Sequence, residues 1–454
     1  MENEPSGMEP RSSQASATDS GGDAGGAPSR PRLVRALGRW DLTAVGVNQV
    51  IGSGIFVLPA TVAALVGAPA SVWPYVAAGI ANALIVLCFA EAGSRFRQAG
   101  GPLLYTATAF GPFAGFLVGW MMWLTRVASQ AALANAFALY VGFFWTGATQ
   151  GAGRVLVIAA TIGSLALINF RGVRWGAWTI NMFTIGKLVP LGIFIVLGIF
   201  YVDWGSFSGM LTPNMSGFGR SVLLLMFAFG GYELITIPAG EARSPRRDAP
   251  RALLLTICIV CAIYVLVQII AVGTLPGLAS SATPLADSAL LFLGLIAGTF
   301  IAFGGLLSIG GSNAGTMLAG PRLTHALAEH RQLPAIFAHV HRRYHTPDFS
   351  ILFYASSAML LALTGTFEQL VAVSVVARLV FYIGTCAAVP VLRMRADAET
   401  SEGAFQLPGG MTIPLLALAV NIAIIFGADQ RSLAAGGAAM IIGTMLYVLG
   451  VTRR

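Results

Sequence analysis

The chain has 454 residues, of which 56% are hydrophobic and 10% charged. A soluble domain carries about 25% charged residues, so this composition excludes a soluble enzyme or binding module and predicts an all-α polytopic membrane protein. Apolar runs of ~20 residues also exclude a membrane β-barrel, whose strands are short and alternating. The net charge of +8 does not point to nucleic acid, because the arginines that carry it cluster on the loops of one membrane side.

Residues 1–38 are rich in Ser, Gly, Pro and Ala and are expected to form a disordered cytoplasmic tail. They hold no apolar core of a secretory signal. About twelve spans follow by the ~20-residue criterion. They begin near Leu42, Val72, Phe113, Val155, Trp178, Gly217, Ala252, Ser288, Ser350, Glu368, Thr412 and Leu433. The third, running to about Phe144, and the eighth, running to about Gly320, are long enough to tilt.

Span 1 reads Val47-Asn-Gln-Val-Ile-Gly52-Ser53-Gly54-Ile55, followed by Pro59. Span 6 reads Phe227-Ala-Phe-Gly230-Gly231-Tyr232-Glu233, followed by Pro238. Glycine inside a helix costs about 1 kcal/mol relative to alanine. Glycine clusters at matching places in two halves therefore predict two broken helices around a binding site. Unwinding frees backbone groups that lipid cannot satisfy. A half-helix starting at Ser53, Gly54 and Ile55 presents N–H groups and a positive dipole end, which suits a carboxylate. Carbonyls near Val50, Phe227 and Gly230 suit an ammonium. The pair of ends fits an α-amino acid zwitterion.

Lys187 is the only lysine in the chain, and it lies within the apolar fifth span. An ionisable residue at that depth is costly and marks function. Lysine, unlike arginine, can lose its proton when buried, so Lys187 is a candidate proton carrier. Arg126 in span 3 and Arg378 in span 10 cannot, and each is expected to have an acidic or carbonyl partner. They read as buried helix ties, with a substrate or gating role as the alternative. Glu91 and Glu241 lie beside arginines at helix ends and read as inner-gate or structural ion pairs.

Arginine placement sets orientation. Arg95, Arg97, Arg171, Arg174, Arg243, Arg246, Arg247, Arg251, Arg322, Arg331, Arg342, Arg343, Arg393 and Arg395 fall on one side, with the terminal arginines; Arg154, Arg220 and Arg431 fall on the other. Both termini are therefore expected in the cytoplasm. Asn214-Met-Ser216 is a sequon on the outer side. Cys258-Ile-Val-Cys261 has C-x-x-C spacing but no acidic or histidine neighbour, and reads as packing. No metal motif, nucleotide loop or nucleophile–base pair occurs, so neither a cofactor nor an enzymatic activity is expected. Oligomeric state is not legible.

Several segments together resemble the amino acid–polyamine–organocation superfamily. They include Gly52-Ser-Gly-Ile-Phe, Glu91-Ala-Gly-Ser-Arg95-Phe with Gly100-Gly101, and Phe110-Gly-Pro112-Phe-Ala-Gly115. Further matches are Asn169-Phe-Arg171-Gly-Val-Arg174, Phe227-Ala-Phe-Gly-Gly-Tyr-Glu233, Glu241-Ala-Arg-Ser-Pro-Arg-Arg-Asp-Ala-Pro250 and Gly320-Pro-Arg322. The resemblance implies the leucine-transporter fold, with spans 1–5 and 6–10 as an inverted repeat over 39–396 and two helices appended over 397–454. It implies amino acid transport across the cytoplasmic membrane, a carboxylate contact at Ser53 and Gly54, and an aromatic lid at Phe227. It also implies that Lys187 replaces a sodium ion and bridges the span 1 break to span 8, where Ser308 and Ser312 offer hydroxyls. Proton-coupled symport is the first expectation. The alternative is an amino acid or polyamine exchanger in which Glu233 binds or senses a cationic substrate; Glu233 is also a candidate to carry the coupled proton in place of Lys187, or to pair with an internal arginine. Span 8 carries Ser312-Asn313-Ala314-Gly315 without an aromatic, which argues against arginine as substrate.

Overall fold

A computed structural model describes residues 38–96, 101–212, 214–236, 245–395, 405–407 and 409–452. Within them the chain is helical: α1 (Arg39–Val50), α2 (Gly54–Val66), α3 (Val72–Ser94), α4 (Gly101–Phe110), α5 (Pro112–Val141), α6 (Gly151–Arg171), α7 (Val173–Gly198) and α8 (Met215–Ala228). The second half holds α9 (Pro245–Thr274), α10 (Pro284–Leu293), α11 (Leu295–Glu329), α12 (Asp348–Thr364), α13 (Phe367–Met394), α14 (Thr412–Ile425) and α15 (Gln430–Thr452). Among the described residues, six helices are long and apolar enough to cross a membrane. The pair α1–α2 qualifies as a seventh span, bent by 51° at a short break. The tail expected over 1–38 and the loop residue Glu241 lie outside the described residues, apart from Gly38.

Each expected span start falls inside a helix, but one span is drawn wrongly. Ser288 belongs to α10, a separate helix of 10 residues. It ends at Gly294, which has φ +82°, a left-handed conformation that glycine adopts without steric cost. The long helix is α11, which continues beyond Gly320 to Glu329. Both pieces are apolar, so hydropathy alone joins them. A similar device separates α4 from α5: Gly111 has φ +94° and Pro112 opens the next helix.

The helices sort into an inner and an outer set. Only 17% of the α6 span is buried within the protein, against 72% of α13. Leu156, Leu352, Leu360 and Ile441 project outward from α6, α12 and α15, as lipid-facing side chains do. The inner set packs α5 on α13, α7 on α11 and α3 on α9. Close approach rests on small residues. A Cβ at Gly304 would lie 2.5 Å from Pro190 Cβ, and one at Gly186 would collide with Leu307; these contacts seat α7 against α11 on either side of Lys187. Cys261 of the C-x-x-C pair packs on Gly79 across α3 and α9, and the four cysteines are free thiols.

At the arginine-rich end, the Glu91 carboxylate is fully buried. It accepts from Arg95 Nη2 at 2.9 Å, Arg393 Nε at 2.6 Å and Nη2 at 2.5 Å, and the Leu407 backbone N–H at 3.0 Å. One carboxylate thus ties the end of α3 to the end of α13 and to the strand of chain that leads to α14. Removing one partner of a buried pair leaves the other charge uncompensated, at a cost of about 3–5 kcal/mol. Glu91→Ala is therefore expected to lower the melting temperature of the purified protein sharply. Arg95→Gln, which leaves the bidentate Arg393 contact in place, is expected to lower it less.

Candidate functional site

The break between α1 and α2 is the centre of the site. α1 makes its last turn with Ile51 N–H donating to Val47 O at 3.0 Å. α2 makes its first with Phe56 and Val57 N–H both donating to Ser53 O, at 3.0 and 3.1 Å. Carbonyls at the end of α1 are thereby released, in a region where no water replaces the lost bonds. Side chains from three other helices supply donors. Lys187 Nζ on α7 donates to Ile51 O at 2.8 Å and also to Asn48 O. Tyr264 on α9 has its hydroxyl 3.1 Å from Val50 O. Ser308 on α11 donates to Gly52 O at 3.3 Å.

Lys187 is 4% exposed and bonds only carbonyl oxygens. Among the described residues no hydrogen bond joins its ammonium to Ser308 or Ser312, contrary to the expected bridge. Ser312 Oγ instead donates to Ser308 O at 3.0 Å and sits beside Gly52. The link from α7 to α11 runs through the backbone of the break: Lys187 holds Asn48 and Ile51, and Ser308 holds the adjacent Gly52. The amine engages Asn48 and Ile51, whereas both serines approach the break at Gly52.

The second break lies between α8 and a short 3-10 turn over Tyr232–Thr236. Gly230 N–H donates to Phe227 O at 3.2 Å, and Gly231 has φ +123°. A Cβ at Gly231 would be 2.8 Å from Gln49 O, and one at Gly54 would be 2.5 Å from Ala228 Cβ. Only glycine at both positions lets the two breaks meet. Tyr264 joins them as well, because its hydroxyl lies 2.9 Å from Ala228 O while also within reach of Val50 O.

A cavity of about 90 Å³ sits where the breaks face each other. Val50, Gly52, Ser53, Gly54, Phe227, Gly230, Gly231, Glu233 and Ser312 all line it, together with Arg126 and Arg378. Ile55, Lys187 and Ser308 do not line it: they stand behind the break. Ser53 Oγ is buried with no hydrogen-bond partner among the described residues, and Ser53 caps the half-helix that begins at Gly54. The Glu233 carboxylate accepts from Gly231 N–H at 2.9 Å and from Tyr382 Oη at 3.5 Å. Arg378 lies so close over Gly230 that any side chain there would overlap its guanidinium. Its Nε and Nη1 have no hydrogen-bond partner among the described residues, while Glu233, in the same lining, is the acidic group whose charge acts on it.

Two sets of aromatic contacts lie beside the cavity. Phe227 lines the central cavity and meets Phe367 edge to face, with centroids 6.2 Å apart. Phe367 in turn lines a second cavity of about 560 Å³ beside Arg154 and Glu368. These two rings separate the central cavity from that vestibule. Toward Glu91, Phe89, Tyr232 and Tyr382 pack as a triad with centroids 5.5–5.7 Å apart. Sequence reasoning missed Tyr264 and Phe367. A tyrosine inside an apolar span needs a partner for its hydroxyl, which signals Tyr264 but not which carbonyls it meets; Phe367 carries no signal, being one aromatic among many.

Residues 37–448 match the family described as amino acid permease, and the chain belongs to that family, within the amino acid–polyamine–organocation superfamily. It is 31% identical over 392 residues to the serine/threonine exchanger SteT of Bacillus subtilis, covering 84% of this chain and 87% of that one. It is 26% identical over 437 residues to the methylthioribose transporter of the same organism, covering 92% and 93%. The large neutral amino acids transporter small subunit 2 of Mus musculus is 29% identical over 444 residues, covering 92% and 81%.

Tyr264→Phe removes a hydroxyl that lies within reach of both breaks. Leaving a buried carbonyl without its donor costs about 1–3 kcal/mol. The substitution is expected to lower the melting temperature of the purified protein, whereas Tyr201→Phe, at an exposed position, leaves it unchanged.

Proposed function

We propose that the protein is a secondary active transporter of amino acids in the cytoplasmic membrane, coupled to protons through Lys187. The reading takes twelve spans in the five-plus-five inverted arrangement, with both termini in the cytoplasm. The substrate lies between the two breaks. Its carboxylate takes the N–H groups of Ser53 and Gly54 and the Ser53 hydroxyl, and its ammonium takes carbonyls at Phe227 and Gly230. Val50 O, engaged by Tyr264, is the weaker acceptor.

One observation carries the coupling: the Lys187 ammonium bonds the Asn48 and Ile51 carbonyls. A cation bound to backbone oxygens of an unwound helix occupies the place a metal ion would take. Protonated, it offers three donors and a full charge; as a neutral amine it keeps fewer donors and loses the charge. The proton therefore stabilises the form of α1–α2 in which the break is held against α7. Ser308 and Ser312 secure the same backbone from α11. Loss of the proton frees the break to move, and each ligand shifts the two states by its difference in affinity for them. Phe227, with Phe367, acts as the lid toward the Arg154 end.

The relatives named for amino acids support the substrate class. The relative named as a serine/threonine exchanger supports a second reading, obligate exchange on the same site.

In proteoliposomes, Lys187→Ala is expected to reduce pH-gradient-driven amino acid uptake by about tenfold or more, a loss of at least ~1.4 kcal/mol. The variant should retain amino acid binding in a thermal-shift assay. Undiminished gradient-driven uptake in that variant would overturn the coupling role. Uptake that needs internal amino acid and ignores the pH gradient would select exchange.

A further inference from the structure

The central cavity holds more positive charge than its substrate-backbone contacts need. Its lining includes two arginines, Arg126 on α5 and Arg378 on α13, and one carboxylate, Glu233. Arg378 is 6% exposed, and its Nε and Nη1 are without hydrogen-bond partners among the described residues. Gly230 leaves the space in which that guanidinium lies. Glu233, which accepts from Gly231 N–H and the Tyr382 hydroxyl, is the acidic group whose charge acts on both arginines. One carboxylate set against two guanidiniums leaves one positive charge in excess.

The helices bearing the arginines are fixed to each other beside the cavity. Ser129 Oγ lies 2.7 Å from Ser374 Oγ, and Ser374 Oγ donates to Thr125 O at 3.2 Å. These bonds flank Arg126 on α5 and lie one turn before Arg378 on α13. Tyr354 holds the Arg126 backbone, with its hydroxyl donating to Arg126 O at 2.9 Å. Both arginines thus line the cavity from helices that are fixed to each other.

We propose that this wall is the side-chain subsite and that it takes an amino acid whose side chain ends in an oxyanion, such as aspartate or glutamate. The inference rests on the transport reading above and narrows it. A zwitterion brings no net charge, whereas an acidic amino acid brings one negative charge and neutralises the excess. Guanidinium forks match the two oxygens of a carboxylate. The same wall repels a cationic side chain, which disfavours the basic or polyamine substrate that Glu233 alone would suggest.

The test is uptake of radiolabelled L-glutamate, L-aspartate, L-serine, L-leucine and L-lysine into proteoliposomes, with thermal-shift binding of each on the purified protein. The expected result is preference for the two acidic amino acids. Arg378→Gln and Arg126→Gln should each lower the glutamate-to-serine uptake ratio by about tenfold or more, as loss of a buried charge contact does. Arg126→Lys should restore part of that ratio, and a merely structural arginine would not move it. If Arg378→Gln fails to fold, the Arg126 variants and the wild-type substrate ranking still decide. Uptake of neutral amino acids with no uptake of, or competition by, acidic ones overturns this inference and leaves the transport reading standing. Neither binding nor uptake of any amino acid overturns both.

Discussion

Everything in the centre of this protein depends on how the carbonyls of a broken helix are satisfied where water is absent. The break between α1 and α2 releases oxygens at Asn48, Val50, Ile51 and Gly52. Lys187, Tyr264 and Ser308, from α7, α9 and α11, take them up. An unsatisfied backbone group in a bilayer costs several kcal/mol, so these three side chains make the break possible. They also make it conditional: of the three donors, only the lysine changes charge on gaining or losing a proton in the physiological range of environments.

The second break is tied to the first by geometry more than by charge. Gly54 and Gly231 carry no Cβ where the two backbones touch, and Tyr264 lies within reach of a carbonyl on each. The two breaks are therefore in direct contact. The cavity between them has one wall of broken-helix backbone, and the opposite wall is α5 and α13, laced together by serine and threonine bonds.

The contacts that flank the cavity are of different kinds. Phe227 and Phe367 meet edge to face toward the Arg154 vestibule. The opposite end has an aromatic triad backed by the buried Glu91 with its two arginines. Two rings in contact can part at little cost, because aromatic pairs contribute only about 0.5–1.5 kcal/mol beyond their burial. A buried carboxylate that accepts four hydrogen bonds cannot, so the Glu91 end is the firmer closure.

Much of this was legible in the chain itself. The lone Lys187 in an apolar run, the glycine clusters at 52–54 and 230–231, and the two intramembrane arginines are all local facts about composition at a given depth. They identify a membrane protein and the residues around its centre, because burying a charge or breaking a helix in hydrocarbon is costly wherever it occurs. What stayed hidden depends on which helices are neighbours. Tyr264 and Phe367 belong to the site only because α9 and α13 pack beside the breaks. Ser308 meets Gly52 rather than the lysine. The Gly294 turn that divides α10 from α11 is invisible to hydropathy, since both sides are equally apolar. The sequence by itself determined the membrane class, the places where helices break and the charges that must be accounted for. The tertiary structure alone decided which carbonyl meets which donor and which arginines share one carboxylate, because hydrogen bonds act over about 3 Å and only folding brings distant spans that close.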